Sequence, residues 1–169
     1  MLRSALLVSA SSLIGASALA APAHLPKGPG WHVGTARLGD AGCARCVQTE
    51  SWAATVPYRD PPNQLPPWKT LAALRQGGLV VHVTRSWQPA EPAPALIKRP
   101  LRIVRTHIHA NFEGNKSPDR VSLWKASTWR NGSFVTVWVF FGSPRPSSTL
   151  IGRAQAEIDR AKLPVWHLP

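Results

Sequence analysis

Cys43 and Cys46 are the only cysteines in the chain, and they stand together in the run GCARC. Two thiols at this spacing suit a redox pair, half of a metal site or a covalent clip. A thioredoxin-like pair belongs at the start of a helix within a βαβ unit. Here AGCARCVQTES runs into a strand-like segment, and no βαβ pattern surrounds it. Zinc needs four ligands, and no histidine stands at the zinc-finger spacing. A c-type haem attachment needs histidine at position 47, where Val47 stands. The favoured reading is a local Cys43–Cys46 disulfide that fixes the turn ahead of the strand around Trp52. Redox activity and metal ligation are the lesser readings.

The second group is a histidine stripe. Arg105, His107 and His109 alternate along one segment and project from one face if it is extended. His82 lies on the preceding strand-like segment, on the parity opposite the apolar Leu79, Val81 and Val83, and is expected to be exposed. If those two strands are neighbours, His82, His107 and His109 converge as a zinc or copper site. The more economical reading is a basic sheet face on which Arg105, His107 and His109 form a diffuse anion-binding stripe, with Lys125 and Trp129 of the hairpin as further candidates for anion or ligand contact.

Other chemistry finds little support. There is no G-x-S-x-G, no P-loop and no G-x-G-x-x-G, and no spacing signal for a pair of catalytic carboxylates. No cofactor is expected. Trp129, Phe134, Trp138 and Phe140 alternate with Lys125 on one face of a β-hairpin, an arrangement that can stack sugars or bases. Core packing is the favoured reading for Trp138 and Phe140.

The elements that must position these residues are legible as patterns. WHVGTARLGD (31–40) and QTESWAATVPYRD (48–60) read as strands, the second with Trp52, Ala54 and Val56 at period two. WKTLAALRQGG (68–78) reads as a short helix closed by Gly77 or Gly78. GLVVHVTRSW (78–87) and LRIVRTHIHANFEG (101–114) read as strands, separated by a proline-rich loop. VSLWKASTWRNGSFVTVWVFFG (121–142) carries Asn131-Gly132 between two β-rich runs, the strongest short hairpin signal. A two-residue loop sets Trp129 opposite Phe134, Lys125 opposite Trp138 and Trp124 opposite Val139. The face with Trp124, Ala126, Val135, Val137, Val139 and Phe141 is the better core candidate. SPRPSSTLIGRAQAEIDRAKLP (143–164) reads as a long helix that Ser147 or Ser148 caps after Pro146, with Lys162 in its last turn and Pro164 as its stop. Its apolar stripe is Leu150, Ile151, Ala154, Ile158 and Ala161, and Arg153 and Glu157 form an i, i+4 pair.

Residues 1–20 carry the marks of a Sec-type signal peptide: Arg3, an uncharged apolar stretch from Leu6 to Ala20, and small residues at 18–20. The reading divides the chain into a signal peptide (1–20), an extended lead-in (21–30) and one domain (31–169). The protein is then secreted or extracytoplasmic, has no transmembrane helix after cleavage, and works where thiols are oxidised. The 169 residues include 20 Lys and Arg against 8 Asp and Glu, a formal charge of +12. Losing Arg3 with the leader lowers that charge only to +11, so the mature surface should attract anions.

SWAATVPYRDPPNQLPPWKTLAALRQGGLVVHV, FEG and VTVWVFFGSPRPSSTLIGRAQAEIDRA together resemble a set of secreted actinobacterial proteins without an assigned activity. Their shared pattern is a helix before a Gly-Gly or Pro-Gly turn, a valine-rich strand, and FFGxPxP leading into a C-terminal helix. The resemblance spans residues 31–164 and implies export and a single domain. At the level of fold the chain also resembles the PsbP/Mog1-like group.

The expected fold is α+β: an antiparallel sheet of about four to six strands with a short helix and a C-terminal helix packed on one face. The expected role is a non-catalytic binding or interaction module at the cell envelope. Its partner is an anionic envelope polymer, lipid headgroups or a protein, without specific nucleic-acid recognition. The alternative is a small metal-dependent or hydrolytic enzyme centred on His82, His107 and His109.

Overall fold

The computed structural model describes residues 22–38, 47–87, 101–106, 119–130 and 133–161. Six antiparallel strands and two helices follow one another as β1 (His32–Arg37), β2 (Val47–Ala54), α1 (Trp68–Ala73), β3 (Leu79–Trp87), β4 (Val104–Thr106), β5 (Ser122–Arg130), β6 (Ser133–Phe141) and α2 (Ser148–Arg160). The strands form one sheet in the order β1-β2-β3-β6-β5-β4. This is the sheet-dominated α+β fold that the patterning implies. Cys43, Cys46, His107, His109 and the leader lie outside the described residues.

The β5–β6 register is the one the Asn131-Gly132 turn dictates: Trp129 opposite Phe134, Lys125 opposite Trp138, Trp124 opposite Val139. β6 is apolar on both sides because it lies inside the sheet, between β3 and β5. Its odd-numbered residues Val135, Val137, Val139 and Phe141 join Val81, Val83 and Ala126 beneath α2. α2 contributes Ala154, Ile158 and Ala161 to this core, with Leu150 and Ile151 at its margin. Ser147 caps the helix by accepting a hydrogen bond from the Leu150 N–H at 3.2 Å. The segment ahead of β1 also enters this core through Ala23 and Leu25, and the Ser51 hydroxyl ties it to the sheet by donating to the Ala23 carbonyl at 2.6 Å.

The opposite face carries a smaller core of Ala54, Leu71, Leu74, Val80, Leu123 and Phe140, closed by α1 and the segment before it. The two helices therefore take opposite faces of the sheet, giving a long helix, a sheet and a short helix in layers. Phe140 and Phe141 point to opposite faces and both are fully buried, each contributing about 2 kcal/mol by removal from water. α1 is shorter than the 68–78 run, since Leu74 is already extended. Gly142 sits against the turn that follows α1: a Cβ there would lie 2.0 Å from the Arg75 carbonyl oxygen.

Two expected features of α2 are corrected. Arg153 does not pair with Glu157; its guanidinium lies 5.1 Å from the Trp31 ring centre, and Glu157 instead pairs with Arg160. Glu157 is also not a surface residue, being only 2% exposed. It sits one residue before Ile158, at the border of the buried stripe.

Candidate functional site

One row of residues crosses the whole sheet on the α1 side. Register places Gly34, Trp52, His82, Trp138, Lys125 and Val104 side by side on six successive strands. Near the middle of this row the sequence buries groups that water would otherwise solvate. His82 is 0% exposed and Glu50 1%. They sit on adjacent strands, with Glu50 two residues before Trp52 and therefore on the same face.

The 55–67 segment closes over them. Tyr58 stacks on Trp52 with ring centres 4.4 Å apart, and its hydroxyl lies 3.3 Å from His82 Nδ1. With Tyr58 donating, the neutral imidazole carries its hydrogen on Nε2, which faces Glu50 Oε2 at 3.8 Å. That separation exceeds hydrogen-bonding reach. Glu50 Oε1 accepts from the Asn63 N–H at 2.9 Å, and Asn63 has the positive φ of 69° that turns the segment back. Farther along, the Asp60 carboxylate accepts from the N–H groups of Lys69 and Thr70 and from the Thr70 hydroxyl, at 2.9, 2.8 and 2.6 Å. It thereby caps α1, for which Pro67 supplies no side-chain cap.

Burial governs the protonation of this cluster. It lowers His82 to a pKa of about 3, so the ring is neutral in ordinary conditions. Burial also raises Glu50, an effect partly offset by the Asn63 N–H. Tyr58 is raised by burial and by the carboxylates of Glu50 and Asp60, which keep its hydroxyl protonated. General acid–base chemistry needs hydrogen-bond reach to a reacting atom. His82 has no exposed surface, so the cluster holds the 55–67 segment to the sheet and presents no reactive imidazole.

The expectation that His82 is exposed is therefore overturned. Strand parity identified its face correctly, but Tyr58 and the segment around it cover that face. β3 and β4 are not neighbours either; β6 and β5 separate them. His82 does not meet the Arg105 strand through pairing. Among the described residues, no group of three His, Cys, Asp or Glu side chains is placed to hold a metal ion.

Arg105 and Lys125 belong to opposite faces, since Arg105 pairs with Trp124 and Val104 with Lys125. Arg105 donates to the Pro144 carbonyl at 3.0 Å, beside the start of α2. Lys125 lies over the Trp138 ring, 4.6 Å from its centre, and the Trp138 indole N–H donates to the Thr84 hydroxyl at 3.3 Å. Trp138 thus packs at the margin of the smaller core. Trp129 pairs with Phe134 through the backbone register.

The spacing of Tyr58, Asp60 and Glu50 in the sequence does not mark them as parts of one cluster. A signal existed for Glu50: it continues the Trp52–Ala54 parity into the protein. Arg85 is likewise unmarked in the sequence. It is 3% exposed on the α2 face, and burial lowers its pKa to about 10.

What remains at the surface is strongly basic. Lys27, Arg37, Arg59, Lys69, Arg75, Arg102, Arg105, Arg120, Arg145, Arg153 and Arg160 are exposed. Among the described acids only Asp119 and Asp159 are exposed, because Glu50, Asp60 and Glu157 are buried. No helix among the described residues is long and apolar enough to cross a membrane. No family model, curated protein or solved structure matches this chain.

Proposed function

We propose that the protein is an exported, non-catalytic interaction module that engages an anionic polymer of the cell envelope through its basic surface. The observation that carries this reading is the inequality between exposed bases and exposed acids. Three of the five described acidic side chains are buried in the fold, which leaves Asp119 and Asp159 against eleven exposed Lys and Arg side chains among the described residues. A surface of this kind raises the local concentration of polyanions and speeds their capture.

Export is supported by the leader-like run at residues 1–20 and by the resemblance to secreted actinobacterial proteins. The Glu50–His82–Tyr58 cluster argues against the hydrolytic alternative, because its imidazole is enclosed and neutral.

Retention of the 21–169 chain on purified envelope material at increasing salt tests the proposal. Binding should be strong at low salt and fall steeply as exposed charges are screened. Vesicles with anionic headgroups and vesicles with neutral headgroups run beside it identify lipid as the target if only the anionic vesicles retain the protein. Failure to bind the envelope polymer at any salt concentration would overturn the proposal.

A further inference from the structure

The sheet has two edges, and they are built differently. β4 is three residues long, which limits what can pair with it. β1 has six residues, all paired with β2 without a register break. Among the described residues no strand lies outside β1 or pairs with its outer backbone N–H and C=O groups, which run along about 20 Å. Residues 32–37 contain neither a proline nor a bulge, two of the devices that close an edge.

Two features define what this edge fits. The first is charge. Arg37 stands exposed at its C-terminal end, and a second copy of so basic a chain would bring like net charge against it. The second is Trp52. A Cβ on Gly34 would lie 2.4 Å from its indole, so the ring lies across the glycine toward the free edge. The ring is half-exposed there, and Tyr58 stacks on it.

We infer that β1 is a strand-addition site for an extended acidic segment of a partner protein. The added strand pairs with the β1 backbone, sets an acidic side chain near Arg37 on one face, and lays an apolar side chain against Trp52 opposite Gly34 on the other. Main-chain pairing supplies affinity, and the indole and Arg37 supply selectivity. This site is separate from the diffuse attraction of polyanions proposed above, because it requires backbone hydrogen bonds that a polymer without peptide groups cannot make.

The test uses the 21–169 chain and fluorescent heptapeptides. One alternates Glu and Val around a central Leu, a second replaces Glu with Lys, and two more are the acidic peptide N-methylated at one or the other set of alternate residues. The acidic peptide should bind, the lysine peptide should not, and one of the N-methylated peptides should bind at least tenfold more weakly. Amides of β1 should gain protection from hydrogen exchange in the complex. Equal binding of all three acidic peptides would overturn the proposal, because charge alone would then explain it. Absence of binding by the parent acidic peptide would overturn it as well. Either result leaves the envelope-polymer reading standing, since that is measured by salt-dependent retention.

Discussion

Burying Glu50 and His82 within 3.8 Å of each other, without a direct hydrogen bond, ties stability to protonation in two opposite ways. The His82 pKa falls from an ordinary 6.5 to about 3 on folding, so the unfolded chain binds the proton more readily. Its contribution to stability is present above pH 6.5 and is lost as pH falls toward 3. Glu50 has the reverse sign: its raised pKa marks a cost of burying the carboxylate, and that cost is relieved on acidification. In the natural chain the two partly cancel. Glu50→Gln keeps an acceptor for the Asn63 N–H and removes the buried charge, so it should be neutral or stabilising at pH 7. It should also expose the His82 titration. Urea unfolding between pH 7 and pH 3 should show the variant losing stability more steeply than the parent. A parallel decline in both proteins would contradict this assignment. At this scale the sequence showed which face each side chain takes, through period-two alternation. It did not show that His82 is covered, because the cover comes from Tyr58, outside its own strand.

At the scale of elements, local chemistry was legible wherever one short stretch decides the outcome. Asn131-Gly132 specifies the hairpin register, and the stripe from Leu150 to Ala161 specifies which side of α2 is buried. Ser147→Ala should cost about 1 kcal/mol in thermal or urea unfolding through loss of the α2 cap. The short helix depends on a distant residue. Asp60 satisfies the first N–H groups of α1 from eight residues before its start, which no helix-start pattern contains. Asp60→Ala should therefore cost more than the Ser147 change, about 2–3 kcal/mol, with Asp60→Asn between them. Gly142→Ala should also destabilise the fold, because the added methyl meets the Arg75 backbone and cannot turn away. The order of the strands was not legible. β6 enters between β3 and β5, a pairing between segments far apart in sequence, so β3 and β4 are not neighbours. Only the apolar character of both faces of β6 signalled its internal position.

At the scale of the molecule, charge was visible in composition but its placement was not. Composition counts Glu50, Asp60 and Glu157 as offsetting negative charges, whereas folding withdraws all three from the surface. The acids left exposed among the described residues are few, and binding of an anionic partner should be governed by ionic strength. Exposed guanidinium groups lie on both sides of the sheet, Arg59 near α1 and Arg153 on α2, so removing one charge should weaken binding only slightly. The most direct measurement is the dissociation constant of the 21–169 chain for a purified acidic envelope polymer, taken across a series of salt concentrations. The account predicts tight binding at low salt and at least a tenfold loss as the Debye length shrinks from about 30 Å to about 8 Å. An affinity that does not change with salt, or no binding at the lowest salt, would contradict it.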